Sequence, residues 1–461
     1  MGKLPEDLCI GEKALEPAYP ISGPNMDISL WDGEFEYYTP NVFRAKGRVI
    51  ARMMPSPSTR ITFESNIRYG IYPSIESGEG LRLGPIGNTI SIDRVLIDLT
   101  SPYSNVNEIG IHCEGELKRY ISTEHVVCDK VIFHIPNFIN YFGENIYSVQ
   151  EEKTIHIYNR SGRQRLTDGT WEIVIDNVFN YPEIKMQIEA QAGFGITHVG
   201  MLHRLDKGTF KASEAEKILN ALYWFLSFAR GCRCGPMLFV GSLQEKITWE
   251  PWNTPALHPW ENGVYGWMDK RPVFTGATTN QAFQGFVRNW ADDYWRPCLQ
   301  QAIHWYSEVN MGTGGMEGGI ALIQLALELL SWACLEEISP DKATVDEFDK
   351  KVADQKIRDT LKMLQIPINI DSIPIVKQYL NENITDGTLK DGPRAISYLR
   401  NAIVHPMKKK RAKIYEASDA VKFAVGNIGL NYVALSILKI IGYSDVYLNH
   451  VNWEVEQVPW V

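Results

Sequence analysis

"PRAISYLRNAIVHP", residues 393–406, decides how the second half of the chain is read. Ile396, Leu399, Ile403 and Val404 recur at helical spacing and are expected to face a core. Asn401 and His405, four residues apart, share a different face, and Arg400 lies one step round from Asn401. Pro406 disfavours helical backbone at His405, so the helix is expected to end there. The imidazole would then sit beside the last unsatisfied carbonyls, at the negative end of the helix dipole.

Outward from this stretch the helical period persists. It runs through "NQAFQGFVRNWADDYWRPCLQQAIHWYSEV" (280–309), with Pro297 as a kink or first-turn position, and "GGIALIQLALELLSWACLEEI" (318–338). "TVDEFDKKVADQKIRDTLKML" (344–364), "IPIVKQYLNEN" (373–383) and "EASDAVKFAVGNIGLNYVALSILKIIG" (416–442) continue it. Half a dozen or so helices joined by short loops read as a bundle. The glycine-rich "MGTGGMEGG" (311–319) lacks the lysine and spacing of a phosphate-binding loop and reads as an entry to the next helix.

The first half has a different period. "RVIARMM", "TRITFES", "DRVLIDL", "HVVCDKVIFHI", "KTIHIYN" and "TWEIVID" read as strands, with "SGEG", "SGR" and "TDG" as turns. "FKASEAEKILNALYWFLSFARGCRCG" (210–235) reads as a buried helix, with a capping box at Ser213 and Glu216 and a C-terminal cap at Gly231. A Trp- and Pro-rich stretch follows, carrying Trp249, Trp252, Trp260 and Trp267, which either stack on bases or a partner or pack as an ordered loop. The division expected is an N-terminal segment over 1–25, a β-rich domain over 26–245 that includes the helix near 212–230, a connector over 246–276 and a helical bundle over 277–461. The fold class is α+β.

Composition narrows the function. A net charge of −9 argues against a protein that coats nucleic acid indiscriminately, since such binding draws on many released counterions. Seven scattered cysteines suit a reducing compartment, and the pair Cys232 and Cys234 has no second pair at zinc-site spacing, so no metal is expected. "MGKLPEDLCIGEKALEP" places acids and prolines where a signal peptide needs an apolar core. "IGLNYVALSILKII" is interrupted by Asn431 and Lys439 and falls short of the ~20 apolar residues that span a bilayer. The expectation is a cytoplasmic protein without a membrane segment.

An arginine, an amide and a histidine at one helix end suit metal-independent RNA cleavage. In that reaction a 2′-hydroxyl attacks the adjacent phosphate, a base takes its proton and an acid protonates the departing 5′-oxygen. An arginine fork matches the charge growing on the phosphoryl oxygens. One histidine can hardly serve both transfers, because the attacking and leaving oxygens lie on opposite sides of phosphorus, whereas a symmetric dimer would bring two. Lys408, Lys409, Lys410 and Arg411 follow at once, a local positive patch for an RNA backbone or a solvated loop.

At these residues the sequence resembles the HEPN superfamily, whose ribonuclease members carry an arginine, often a polar residue after it, and a histidine beyond four to six intervening positions. In "RNAIVH" Arg400 takes the arginine position, Asn401 the polar one and His405 the histidine. The layout, a β-rich region joined to a C-terminal bundle ending in "GYSDVYLNHVNWEVEQVPW", looks like the ApeA-like abortive-infection proteins of antiphage defence. The resemblance implies an all-α HEPN bundle and a cofactor-free endoribonuclease, working as a homodimer or higher oligomer with both motifs in one cleft. Such an enzyme would cleave host or phage RNA, transfer RNA among the targets, when the β-rich domain senses a phage component. A related variant that modifies its own tyrosine is set aside, because Met407 stands at that tyrosine's position. Glu328 is either an accessory polar residue facing the cleft or a surface acid.

Two other readings remain open. In one, the bundle is a non-catalytic module that dimerises or binds RNA or nucleotide while the β-rich domain recognises a protein. In the other, His405 is satisfied by helix-end carbonyls and Arg400 stands in a surface ion pair. A metal-dependent hydrolase is disfavoured, because "HRLD" (203–206) and "ADD" (291–293) are isolated.

Overall fold

A computed structural model describes residues 8–38, 42–65, 82–85, 95–103, 111–120, 125–151, 155–252, 254–338, 342–385, 387–405 and 407–461. Side chains are described for these except at 35–38, 42–45, 63–65, 82–85, 95–103, 111–120, 150, 151, 155, 338, 342, 343 and 408–411. The chain forms two compact units, Met1–Tyr223 with Cys234–Asn262, and Trp224–Arg233 with Gly263–Val461. The first is β-rich and the second helical. Of the stretch expected as a connector, residues up to Asn262 count with the first unit and those from Gly263 with the second.

The first unit contains β1 (Glu12–Lys13), β2 (Ile28–Tyr38), β3 (Val42–Arg52), β4 (Ser58–Ser65), β5 (Arg82–Pro85), β6 (Val95–Tyr103), β7 (Ile111–Tyr120), β8 (Val127–Cys128) and β9 (Lys130–Pro136). After them come β10 (Glu144–Glu151), β11 (Ile155–Thr167), β12 (Trp171–Asn177), α1 (Tyr181–Gln191), β13 (Ile196–Arg204), β14 (Phe210–Lys211), the part of α2 (Ala212–Arg230) up to Tyr223, β15 (Met237–Leu243) and β16 (Lys246–Trp249). One sheet runs β1-β10-β11-β12-β13-β9-β15-β16, antiparallel but for β1 beside β10, and another runs β5-β2-β3-β4-β7-β6.

Strands β9, β12 and β13 at the centre of the larger sheet are buried along most of their length, which matches their dense Val, Ile and Phe content. Val49, Ala51 and Ile61 from the smaller sheet share a core with Ile196, Met237, Val240 and Trp252. The N-terminal segment straps the larger sheet: Ala14 N–H bonds Tyr147 O at 2.8 Å, Leu15 N–H bonds Asp176 Oδ2 at 2.7 Å, and Ala18 N–H bonds His134 Nε2 at 3.1 Å.

Two local readings are corrected. "SGR" is no turn: it lies inside β11, where Glu144 pairs Arg163 and Asn145 pairs Ser161, leaving Gly162 as the extra residue of a bulge. A Cβ at Gly162 would stand 2.2 Å from Asn177 Oδ1, so glycine is required by close approach. In α2 the helix begins one residue before Ser213, and Glu214 rather than Glu216 reaches back, accepting from Lys211 N–H at 2.8 Å. "HVVCDKVIFHI" is split into β8 and β9, and "TDG" does turn between β11 and β12. "SGEG" lies outside the described residues.

The second unit contains the end of α2, then α3 (Gly276–Trp290), α4 (Trp295–Asn310), α5 (Gly315–Ile338), α6 (Lys342–Asp349) and α7 (Ala353–Met363). It continues with α8 (Pro374–Asn383), α9 (Gly392–Val404), α10 (Lys408–Glu416), α11 (Asp419–Ile440) and a hairpin of β17 (Val446–Leu448) and β18 (Val455–Gln457). Pro297 sits in the first turn of α4. The stretch 344–364, read as one helix, is divided between α6 and α7 around Lys350–Val352.

Helices α5 and α11 pack closely, with a Cβ at Gly429 only 2.3 Å from the Ile323 side chain. By length and composition both reach membrane-span character, but 56 % and 72 % of their apolar windows are buried within the protein. That is how central helices of a globular bundle use apolar surface. Trp249, Trp252, Trp260 and Trp267 are all buried, so none offers a free face to a base. Trp267 packs its ring 5.1 Å from that of Tyr443, and its carbonyl accepts from Leu448 N–H at 2.7 Å, which ties the C-terminal hairpin to the helices.

Candidate functional site

Helix α9 is fixed at its start. Asp391 caps it by accepting from Arg394 N–H at 3.0 Å, and Pro393 occupies the first turn, where no backbone donor is needed. Asp391 is itself held by Arg358, whose Nε and Nη2 donate at 2.6 and 3.1 Å. Arg358 also reaches Asp354 at 3.3 Å, so a buried ion cluster joins α7 to α9. Ala395, Ile396, Leu399 and Ala402 make the buried stripe. Ile403 is only half-buried and Val404 is 42 % exposed, contrary to the core positions expected of them, because the buried arc narrows as the helix leaves the bundle.

Helix α9 ends at Val404, and His405 adopts extended backbone with its N–H 3.3 Å from Asn401 O. The imidazole is exposed and has no hydrogen-bond partner among the described residues. Arg400 and Asn401 are half-buried, with Arg400 Nη1 donating to Asn401 Oδ1 at a long 3.4 Å. Among the described residues no carboxylate lies within 4.0 Å of the Arg400 guanidinium. Pro406 lies outside the described residues.

Lys408, Lys409, Lys410 and Arg411 occupy the first turn of α10, where the alternative of a solvated loop had been open; their side chains lie outside the described set. Farther along, Lys413 Nζ lies 4.3 Å from the centre of the Tyr398 ring, and Tyr379 Oη donates to Lys413 O at 3.1 Å, which docks α10 on α8 and α9.

Glu328, half-buried on α5, accepts from Gln324 Nε2 at 2.6 Å and forms no ion pair with Arg400 among the described residues. It is therefore placed as the partner of a buried glutamine within its own helix.

A second polar constellation in the helical unit escaped the sequence. Arg233 Nη2 donates to His304 Nδ1 at 2.9 Å and to Glu308 Oε1 at 2.8 Å. Burial, then the neighbouring guanidinium, lowers the His304 pKa. With Nδ1 accepting, the neutral ring carries its proton on Nε2. The i,i+4 spacing of His304 and Glu308 was visible, but Arg233 arrives from 71 residues away. Among the described residues no group of three or more His, Cys, Asp and Glu could hold a metal ion.

The two halves also match known families separately: residues 124–263 are similar to the YopA central domain and residues 292–459 to the YopA C-terminal domain. Over nearly the whole chain the protein is 26 % identical to the SPbeta prophage-derived uncharacterized protein YopA of Bacillus subtilis (strain 168), covering 97 % of this chain and 98 % of that protein. No solved structure matches.

Proposed function

We propose that this protein is a metal-independent endoribonuclease of the HEPN type, with Arg400 and His405 as its catalytic pair and Asn401 orienting them. One observation carries the reading: at the end of one helix a half-buried arginine without a carboxylate partner among the described residues is followed five positions later by an exposed histidine without a hydrogen-bond partner among them, and then by Lys408 to Arg411. An arginine in a structural ion pair would be spent; this one keeps its fork for a phosphate. The 2′-hydroxyl of a bound RNA would attack phosphorus, His405 would move the proton on one side, and Arg400 would stabilise the equatorial oxygens. The opposite proton transfer calls for a second histidine, supplied by a second copy of the chain.

The likeness to a prophage-derived protein supports a biological setting in competition between phages. A prophage gains from a cytoplasmic nuclease that stops a competing phage, with the β-rich unit sensing a component of the invader. A non-catalytic RNA-binding and dimerisation module is the second reading, favoured by the single histidine per chain at this site. The test is purified protein with total RNA in chelator. Cleavage lost in both Arg400→Ala and His405→Ala supports the nuclease, and retained binding without any product from wild type selects the module.

A further inference from the structure

A cavity of about 260 Å³ opens in the β-rich unit, between the N-terminal strap, β10, β11 and the start of α1. It is larger than the roughly 150 Å³ that accommodates a benzene ring in an apolar core. Most of its wall is apolar, with Ile184 and Ile196 among the lining residues, and its polar lining includes Arg160 and Ser148, which are hydrogen-bonded to each other.

Arg160 is a half-buried cation with an unusual balance. Its Nε donates to Asn177 Oδ1 at 2.7 Å, Nη1 to Ser148 Oγ at 2.8 Å and Nη2 to Asn177 O at 2.9 Å. All three partners are neutral, and two N–H groups remain for another acceptor. No carboxylate lies within 4.0 Å among the described residues. The nearby Asp176 is committed elsewhere: Arg163 Nε and Nη2 take its two oxygens at 2.7 Å each, and Leu15 N–H adds 2.7 Å to Oδ2. Burial accordingly pulls the Arg160 guanidinium below its ordinary value. Lys13 also lines the cavity, with its charge offset by Glu16 at 2.7 Å, so the lining keeps one net positive charge.

A buried cation costs free energy unless it is paired. Here the fork is oriented by neutral acceptors at a cavity with apolar walls, a combination characteristic of small-molecule sites. We infer that this cavity binds a small organic anion, with its carboxylate or phosphate head on Arg160 and Ser148 and its apolar body against Ile184 and Ile196. The β-rich unit would thereby be a receptor for a small molecule, independently of what the helical unit does.

The test uses the full-length protein and calorimetric titration with phenyl phosphate, benzoate, benzyl alcohol and inorganic phosphate. Phenyl phosphate or benzoate should bind at least tenfold more tightly than benzyl alcohol and inorganic phosphate, since both head and body contribute. Arg160→Gln should weaken that binding tenfold or more, with Arg160→Lys in between. Val149→Trp, which fills the cavity from a half-buried strand position and leaves Arg160 in place, should abolish it. Absence of millimolar binding by both aromatic anions, equal binding of the alcohol, or binding unaffected by Val149→Trp would each overturn the inference.

Discussion

Arg358 grips Asp391 through two hydrogen bonds, at 2.6 and 3.1 Å, with both side chains nearly removed from solvent. The pair sits at the start of α9, and Arg400 and His405 sit at its end. Because α9 is a single helix of 13 residues, fixing one end sets where the other end emerges. A positioning role for an ion pair remote from the candidate chemistry follows from the helix's stiffness.

Breaking that pair should be costly. Arg358→Leu would leave Asp391 buried with a reduced set of donors, and the expected loss is about 3–5 kcal/mol. Asp391→Ala also removes the cap of α9, worth ~1 kcal/mol more. Urea unfolding of single and double mutants measures the coupling; additive effects of the two changes would contradict it. Hydrogen exchange should quicken first in α9.

Acid should weaken both units through their buried histidines. Burial lowers His134 and His450 to about 4 and His198 to about 3. His134 stays neutral, with Nε2 accepting from Ala18 N–H and Nδ1 3.1 Å from Leu238 O. An unfolded chain binds protons near its ordinary value of 6.5 while the folded one does not. Stability is therefore full above that value and falls as pH drops through it towards about 4, by a few kcal/mol per group in order of magnitude. Denaturation midpoints between pH 7.5 and 5, buffered to roughly constant ionic strength, should show the slope. His134→Gln, whose amide oxygen can stand in for Nε2, should reduce it for the β-rich unit.

The bulge in β11 offers a sharper test of packing. Gly162→Ala puts a methyl group against Asn177, whose Oδ1 is already held by Arg160 at 2.7 Å. The expected cost is about 1–3 kcal/mol, typical of overpacking. The same change should disturb Arg160, so affinity for the anionic probe should fall together with the melting temperature. An alanine variant with wild-type stability would mean that β11 can shift to absorb the methyl group.

What the sequence disclosed and what it hid follow a physical line. Periodicity found the β-rich first half and the helical second half, since alternation and 3.6-residue spacing are local properties. Val404 was misassigned because spacing does not say where a buried stripe ends. Ser161–Gly162–Arg163 was misread because glycine serves a bulge as readily as a turn, and only the partner strand distinguishes them. The lysines of 408–411 gave no hint of helix, since α10 is held from outside by Tyr379 and Tyr398. Arg233 with His304, and Arg160 with its cavity, depend on residues far apart in the chain, which no spacing rule can join.

Arg400 and His405 should separate function from stability. Neither forms an ion pair among the described residues, so Arg400→Ala and His405→Ala should each change folding free energy by no more than about 0.5 kcal/mol. Catalysis should respond far more strongly, since general acid–base groups contribute about 10²–10⁴-fold. Thermal denaturation beside RNA cleavage rates compares the two effects. A large stability loss with unchanged cleavage would assign both residues to the fold.

The most direct measurement is the chemistry of the RNA ends. Wild-type protein incubated with RNA in excess chelator should leave 2′,3′-cyclic phosphate termini, and neither Arg400→Ala nor His405→Ala should produce them above background. Cleavage by wild type that persists undiminished in both variants, or no cleavage by wild type while RNA still binds, would contradict the assignment of these two residues to an RNA-cutting site.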